Sequence, residues 1–127
     1  MYHLKVLIVD DDPDDSELLS QALIAQGFPS PTVAVGSDVV SAEFSVEAFD
    51  LVVTDLQMPG ISGFEVALHI AENFPRIPVI GMSGASASEL GILKVYGAVS
   101  IAEKTADYDA VVEQVLRHAK RIQKTDP

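Results

Sequence analysis

The chain has 127 residues, 48% of them apolar and none cysteine, and its 19 acidic and 8 basic residues give a formal net charge of -11. That length and apolar fraction supply one domain with its own core, read as residues 1–127. The absence of cysteine excludes a disulfide framework, a thiolate metal site and a cysteine nucleophile. The acidic balance argues against nucleic-acid binding by phosphate neutralisation, which needs clustered Lys and Arg. No apolar run approaches the roughly 18 residues of a membrane span, so membrane insertion is not expected and the expected address is the cytoplasm.

Residues 5–9 read as a buried strand that runs into Asp10-Asp11-Asp12-Pro13. Asp12 as N-cap and Pro13 in the first helical turn start a helix whose stripe is read as Leu18, Leu19, Ala22 and Leu23, ended by Gly27. Residues 32–35 form a short second strand. A helix is expected over 37–47, with a thinner stripe on Val40, Phe44 and Ala48. The apolar run Leu51-Val52-Val53-Thr54 ends in Asp55, and Pro59-Gly60 turns the chain away. Phe64, Ala67, Leu68 and Ala71 mark a third helix, closed by Phe74-Pro75.

Residues 78–83 read as a fourth buried strand with Ser83 at its carboxyl end. Ser86 and Glu89 have capping-box spacing for a helix over 86–96, which Gly91 weakens by about 1 kcal/mol. A last strand over 98–102 leads to Lys104. A final helix follows, with Val111, Val112, Val115, Leu116 and Ala119 on one stripe. Five strands alternating with five helices on short connections imply a parallel sheet covered on both faces. In such a sheet, ligands bind beyond the carboxyl ends of the strands, where Asp10, Asp11, Asp55, Ser83 and Lys104 all fall.

Those motifs as a set, Val9-Asp10-Asp11-Asp12-Pro13, Asp55-Leu56-Gln57-Met58-Pro59-Gly60, the Ser83 strand end and Gly97-Ala98 through Lys104, resemble the receiver domains of two-component response regulators. The resemblance covers nearly the whole chain. It implies a flavodoxin-like, doubly wound α/β fold of strand order 2-1-3-4-5, and a chain that carries no output domain of its own. It implies that Asp55 is the phosphoacceptor and also a metal ligand, and that Asp10 and Asp11 are the acidic pair of the metal site, with Asp11 its direct ligand. Gln57 then offers a backbone carbonyl to Mg²⁺, Ser83 supplies the hydroxyl that meets the acyl phosphate, and Lys104 is the cation on the phosphoryl oxygens. A histidine kinase or histidine phosphotransfer protein is the implied phosphodonor, and a protein partner is the implied target. Physical chemistry agrees on the metal: three carboxylates within about 4–5 Å repel by several kcal/mol at an effective dielectric near 20, and oxygen ligands select Mg²⁺.

Two positions depart from the family pattern. Ile101 stands where most receivers carry an aromatic rotor, and Thr105 stands where a proline usually follows the lysine. Without the rotor, the 86–96 helix is the expected route for the signal. Acids at strand ends are also ordinary helix caps, which is the reading given to Asp12, Asp14 and Asp15. His3, His69 and His118 show no ligand spacing. Arg117, Lys120, Arg121 and Lys124 are read as complementing the end of the last helix. Two other readings fit parts of the pattern: a haloacid-dehalogenase-like phosphatase with Asp10 as nucleophile, and a receiver-like interaction module that is never phosphorylated.

Overall fold

The computed structural model describes residues 2–58, 60–84, 100–105 and 107–124. Strands β1 (Val6–Val9), β2 (Thr32–Ala34), β3 (Leu51–Asp55), β4 (Val79–Ser83) and β5 (Ser100–Glu103) form one sheet in the order β2-β1-β3-β4-β5. Every neighbouring pair is parallel, as the expected doubly wound fold requires. Four helices lie among the described residues: α1 (Pro13–Ala25), α2 (Gly36–Val39), α3 (Gly63–Asn73) and α4 (Asp109–Lys124). The helix expected over 86–96, with Gly91 inside it, lies outside the described residues.

Alternation along the strands builds two cores. Val6, Ile8, Leu51, Val53, Ile80 and Met82 face one way and pack with α1 and α4 through Leu19, Leu23, Val111 and Val115. Leu7, Val9, Val52 and Val79 face the other way and pack with α2 and α3 through Val39, Val66 and Ile70. The central strands are therefore buried on both sides, which is why they read as continuous apolar runs. Leu7, Ile8, Leu51 and Ile80 are fully buried, and a side chain of this kind contributes about 1.5–3 kcal/mol.

The helices differ from the sequence expectation in three places. In α1 the buried face is Ser16, Leu19, Ser20 and Leu23, whereas Leu18 is 54% exposed. Two small serines occupy the stripe, and a reading weighted by hydrophobicity turns the helix toward Leu18 instead. In α3 the buried face is Gly63, Val66, Ala67 and Ile70, so the expected Leu68 points outward. The helix expected over 37–47 is a single turn, α2, followed by a separate 3₁₀ turn at Val46–Ala48. The Ser41 hydroxyl donates to the Asp38 carbonyl at 2.8 Å and closes the chain after one turn, an alternative to the next helical bond that serine readily supplies. The stacked rings of Phe44 and Phe49, 6.1 Å apart, cover the connection.

β2 is an edge strand of three residues, entered through Pro29-Ser30-Pro31. Helix α4 buries the expected Val111, Val112, Val115 and Ala119, with Leu116 partly buried, and leaves Arg117, Lys120 and Arg121 exposed. His118 on this helix is buried and shares a 2.8 Å hydrogen bond between Nε2 and the Ser100 hydroxyl of β5. Burial, and then the charges of Arg121 and Arg117, lower its pKa below the usual histidine value. The neutral ring therefore belongs to the fold. Its contribution is complete above pH about 6.5 and is lost as the pH falls below that value toward the folded pKa. Denaturant titrations of the parent and of His118→Gln should diverge between about pH 7 and 5, the parent losing more stability; parallel profiles would refute this.

Candidate functional site

Asp10 follows β1 and is fixed by its own backbone, its N–H donating to the Ala34 carbonyl at 3.0 Å. Its Oδ1 accepts the Asp12 N–H at 3.0 Å, while its buried Oδ2 has no hydrogen-bond partner. Burial pushes the Asp10 carboxyl up to about 6. The Asp12 N–H and the Lys104 charge oppose that rise, and the charges of Asp55 and Asp15 add to it. Asp12 is the N-cap of α1, its Oδ1 accepting the N–H groups of Asp14 at 2.9 Å and Asp15 at 3.3 Å. The capping role read for Asp12 is thus the one it plays, while Asp14 lies in the first turn near the positive end of α1.

Asp55 is the last residue of β3, pairs with Met82 of β4, and is buried. Its Oδ1 accepts the Gln57 N–H at 3.2 Å, and its Oδ2 accepts a hydrogen bond from the Lys104 ammonium at 3.1 Å. The α3 N-terminus lies against this strand end. Gly63 donates its N–H to the Leu56 carbonyl at 3.2 Å, and Ser62 caps the helix by accepting the Glu65 N–H at 3.3 Å. Gly60, with φ 82°, takes the turn between them in the left-handed region that glycine enters without penalty.

Ser83 ends β4, fully buried, and its carbonyl accepts the Lys104 N–H at 2.8 Å. That bond brings Lys104 to the acids. Its Nζ lies 2.8 Å from Asp15 Oδ2, 3.1 Å from Asp55 Oδ2 and 3.8 Å from Asp10 Oδ2. Burial opposes the lysine charge, but the hydrogen bonds to Asp15 and Asp55 more than offset it and hold the pKa above the ordinary lysine range. A cleft of about 930 Å³ opens over this cluster, lined by Asp11, Asp55, Gln57, Gly84, Lys104 and Thr105 among others. No peptide bond among the described residues is cis. Ile101 is partly buried against the α2–α3 core.

Structure and sequence agree that Asp10, Asp11, Asp55, Gln57, Ser83 and Lys104 lie at the same end of the sheet. The carboxylates of Asp10 and Asp55 converge on the Lys104 ammonium, and Asp11 stands at the cleft wall without joining them. Sequence reasoning missed Asp15 and Tyr108. Asp15 reads as an ordinary first-turn acid of α1, and nothing in its spacing points to a lysine 89 positions away.

Among the described residues, no three His, Cys, Asp or Glu side chains are grouped closely enough to hold a metal by themselves. Magnesium does not require that, because it is commonly held by one or two carboxylates, a carbonyl and retained water. The buried Asp10 Oδ2 has no hydrogen-bond partner, and Asp11 and Gln57 line the cleft, so the oxygen donors at this end of the sheet are of the type that fits such an ion.

The doubly wound sheet with acids and a lysine at its carboxyl edge is that of a signalling domain, as the comparisons with known proteins show. The family model of the response regulator receiver domain matches residues 6–116. The response regulator FleR of Pseudomonas aeruginosa is 33% identical over 117 residues, which are 91% of this chain and 24% of FleR. The sensor histidine kinase RcsC of Salmonella typhi is 29% identical over 123 residues, 96% of this chain and 13% of RcsC. The chain thus spans a quarter or less of these two curated relatives. Among solved structures, Thermotoga maritima TrrA in complex with the histidine kinase ThkA is 30% identical with a TM-score of 0.76, covering 90% of this chain and 97% of that one. TrrA has also been solved with Mg²⁺-BeF, at 28% identity and a TM-score of 0.73 over the same shares. This chain belongs to the response regulator receiver domain family, the signalling domains of two-component systems.

Proposed function

We propose that Asp55 accepts a phosphoryl group from the phosphohistidine of a histidine kinase or phosphotransfer protein, and that the phosphorylated form signals by binding a protein partner in the cytoplasm. The observation that carries this reading is the Asp55 carboxylate, which lines an open cleft with Lys104 Nζ 3.1 Å from its Oδ2. The carboxylate attacks phosphorus, an O–P bond forms, and the P–N bond to the donor imidazole breaks with its electron pair on the ring. Lys104 is already in place to meet charge on the phosphoryl oxygens. The Gln57 N–H on Oδ1 fixes the plane of the carboxylate, and Ser83 stands at the end of the neighbouring strand to meet the acyl phosphate. Asp10, Asp11 and the Gln57 carbonyl would hold Mg²⁺, which supplies Lewis-acid stabilisation of the transferring oxygens when bound. The kinase complex of TrrA supports the donor class, and its Mg²⁺-BeF form supports the metal. The protein catalyses only its own phosphorylation and dephosphorylation.

The phosphatase reading fares worse, because the Lys104 ammonium sits within hydrogen-bond range of Asp55, 3.1 Å from its Oδ2, and 3.8 Å from the Oδ2 of Asp10, the nucleophile that reading requires. Incubation with acetyl phosphate and Mg²⁺, followed by intact and peptide mass measurement, tests the proposal. Labelling is expected on Asp55, absent from Asp55→Asn. Labelling that survives in Asp55→Asn would move the site elsewhere, and a parent that never labels would make this a receiver-like interaction module.

A further inference from the structure

Asp15 is the closest carboxylate to the Lys104 ammonium among the described residues, 2.8 Å against 3.1 Å for Asp55. It reaches the lysine from the first turn of α1. Tyr108 stands beside it. That side chain is buried and lines the same cleft, and its backbone takes the left-handed conformation at φ 60°, uncommon for any residue with a Cβ. The Tyr108 carbonyl accepts the Val112 N–H at 2.9 Å, which ties its backbone to the start of α4. The Asp15 carboxyl is held below the usual range first by its hydrogen bond to Lys104, against slight burial, with the Tyr108 hydroxyl adding to the effect. Asp15 is thus charged and directed at the lysine.

We propose that Asp15, steadied by Tyr108, is a positioning residue that restrains the Lys104 ammonium and so slows phosphoryl uptake at Asp55. The inference rests on Asp55 being the phosphoacceptor. The incoming phosphoryl oxygens need the same ammonium that Asp15 holds, and any part of that contact given up in the transition state raises the barrier. An added negative charge beside the cleft also disfavours an anionic phosphodonor. Both effects act in the same direction.

The test is the rate at which acetyl phosphate with Mg²⁺ labels Asp55, acetate leaving as the O–P bond forms. Asp15→Asn should label roughly two- to fivefold faster than the parent, the range that corresponds to about 0.5–1 kcal/mol for a partly exposed ion pair. Asp14→Asn removes the same charge from the same helical turn without touching Lys104, and should leave the rate at the parent value. Asp15→Glu keeps the carboxylate and should stay near the parent, while Tyr108→Phe should shift in the direction of Asp15→Asn by less. Asp15→Asn no faster than the parent, or matched by either Asp14→Asn or Asp15→Glu, overturns the proposal. If the parent itself fails to label, the phosphoacceptor reading fails. The ion pair is then judged by NMR of the Lys104 ε-methylene in the metal-free protein: its resonances should move in Asp15→Asn and not in Asp14→Asn, and a signal unmoved in both overturns the restraint.

Discussion

Gly63→Ala is expected to destabilise the protein by about 3 kcal/mol, at the upper end for overpacking, and to lower its melting midpoint by roughly 10 °C. A Cβ at this position would overlap the Asp55 carbonyl oxygen and lie 2.7 Å from the Leu56 Cα. Both are backbone atoms, of the strand end and the residue after it, so no flexible side chain can swing aside. Relief must come from lifting the α3 N-terminus or from displacing Asp55 itself. The substitution should therefore also slow labelling of Asp55 in the fraction that stays folded. A melt within about 2 °C of the parent would show that the close approach is not required.

Asp10→Asn should do the opposite to stability. In chelator at pH 7 the variant is expected to be more stable than the parent by about 1–3 kcal/mol, the scale on which burial disfavours a charged carboxyl. The parent buries the Asp10 carboxylate with Oδ2 unbonded and the Lys104 ammonium 3.8 Å away, out of hydrogen-bond range. Asparagine keeps the acceptor for the Asp12 N–H and removes the charge. The same change should blunt stabilisation by Mg²⁺, which for a ligand at tenfold over its dissociation constant amounts to about 1.4 kcal/mol in the parent. Labelling at Asp55 should fall by roughly tenfold, in the range typical of losing one metal-site contact. Chemical denaturation with and without Mg²⁺ decides the matter. A variant weaker than the parent in chelator, or one that keeps the full Mg²⁺ gain, would contradict the account.

Strands β1, β3 and β4 were legible because each is a buried apolar run, with Asp10, Asp55 and Ser83 marking the ends, whereas the strand order came from the family resemblance. Helix faces were less so. Ser16 and Ser20 are buried beside Leu19 and Leu23 while Leu18 is exposed, so the packed face carries less hydrophobicity than its neighbour. A single hydroxyl, Ser41, shortens α2 by a local bond that no periodicity reports. At the site, residue types and chain position were enough to gather Asp10, Asp55 and Lys104. The Asp15 contact depends on how α1 lies against the start of α4, a tertiary relation that capping patterns do not encode.

β2 also decides how the molecule behaves in a crowd of its own copies. It closes one side of the sheet, and an open edge of that kind is a template on which another chain can add a strand. Only three residues are offered here, and Pro31 immediately before Thr32 has no N–H with which to extend the ladder. Pro29 repeats the interruption two positions earlier. A foreign strand would find little backbone to pair with despite the exposed Val33. The edge is blunted against aggregation by its own brevity, so fibril-like growth through β2 is disfavoured even at high protein concentration.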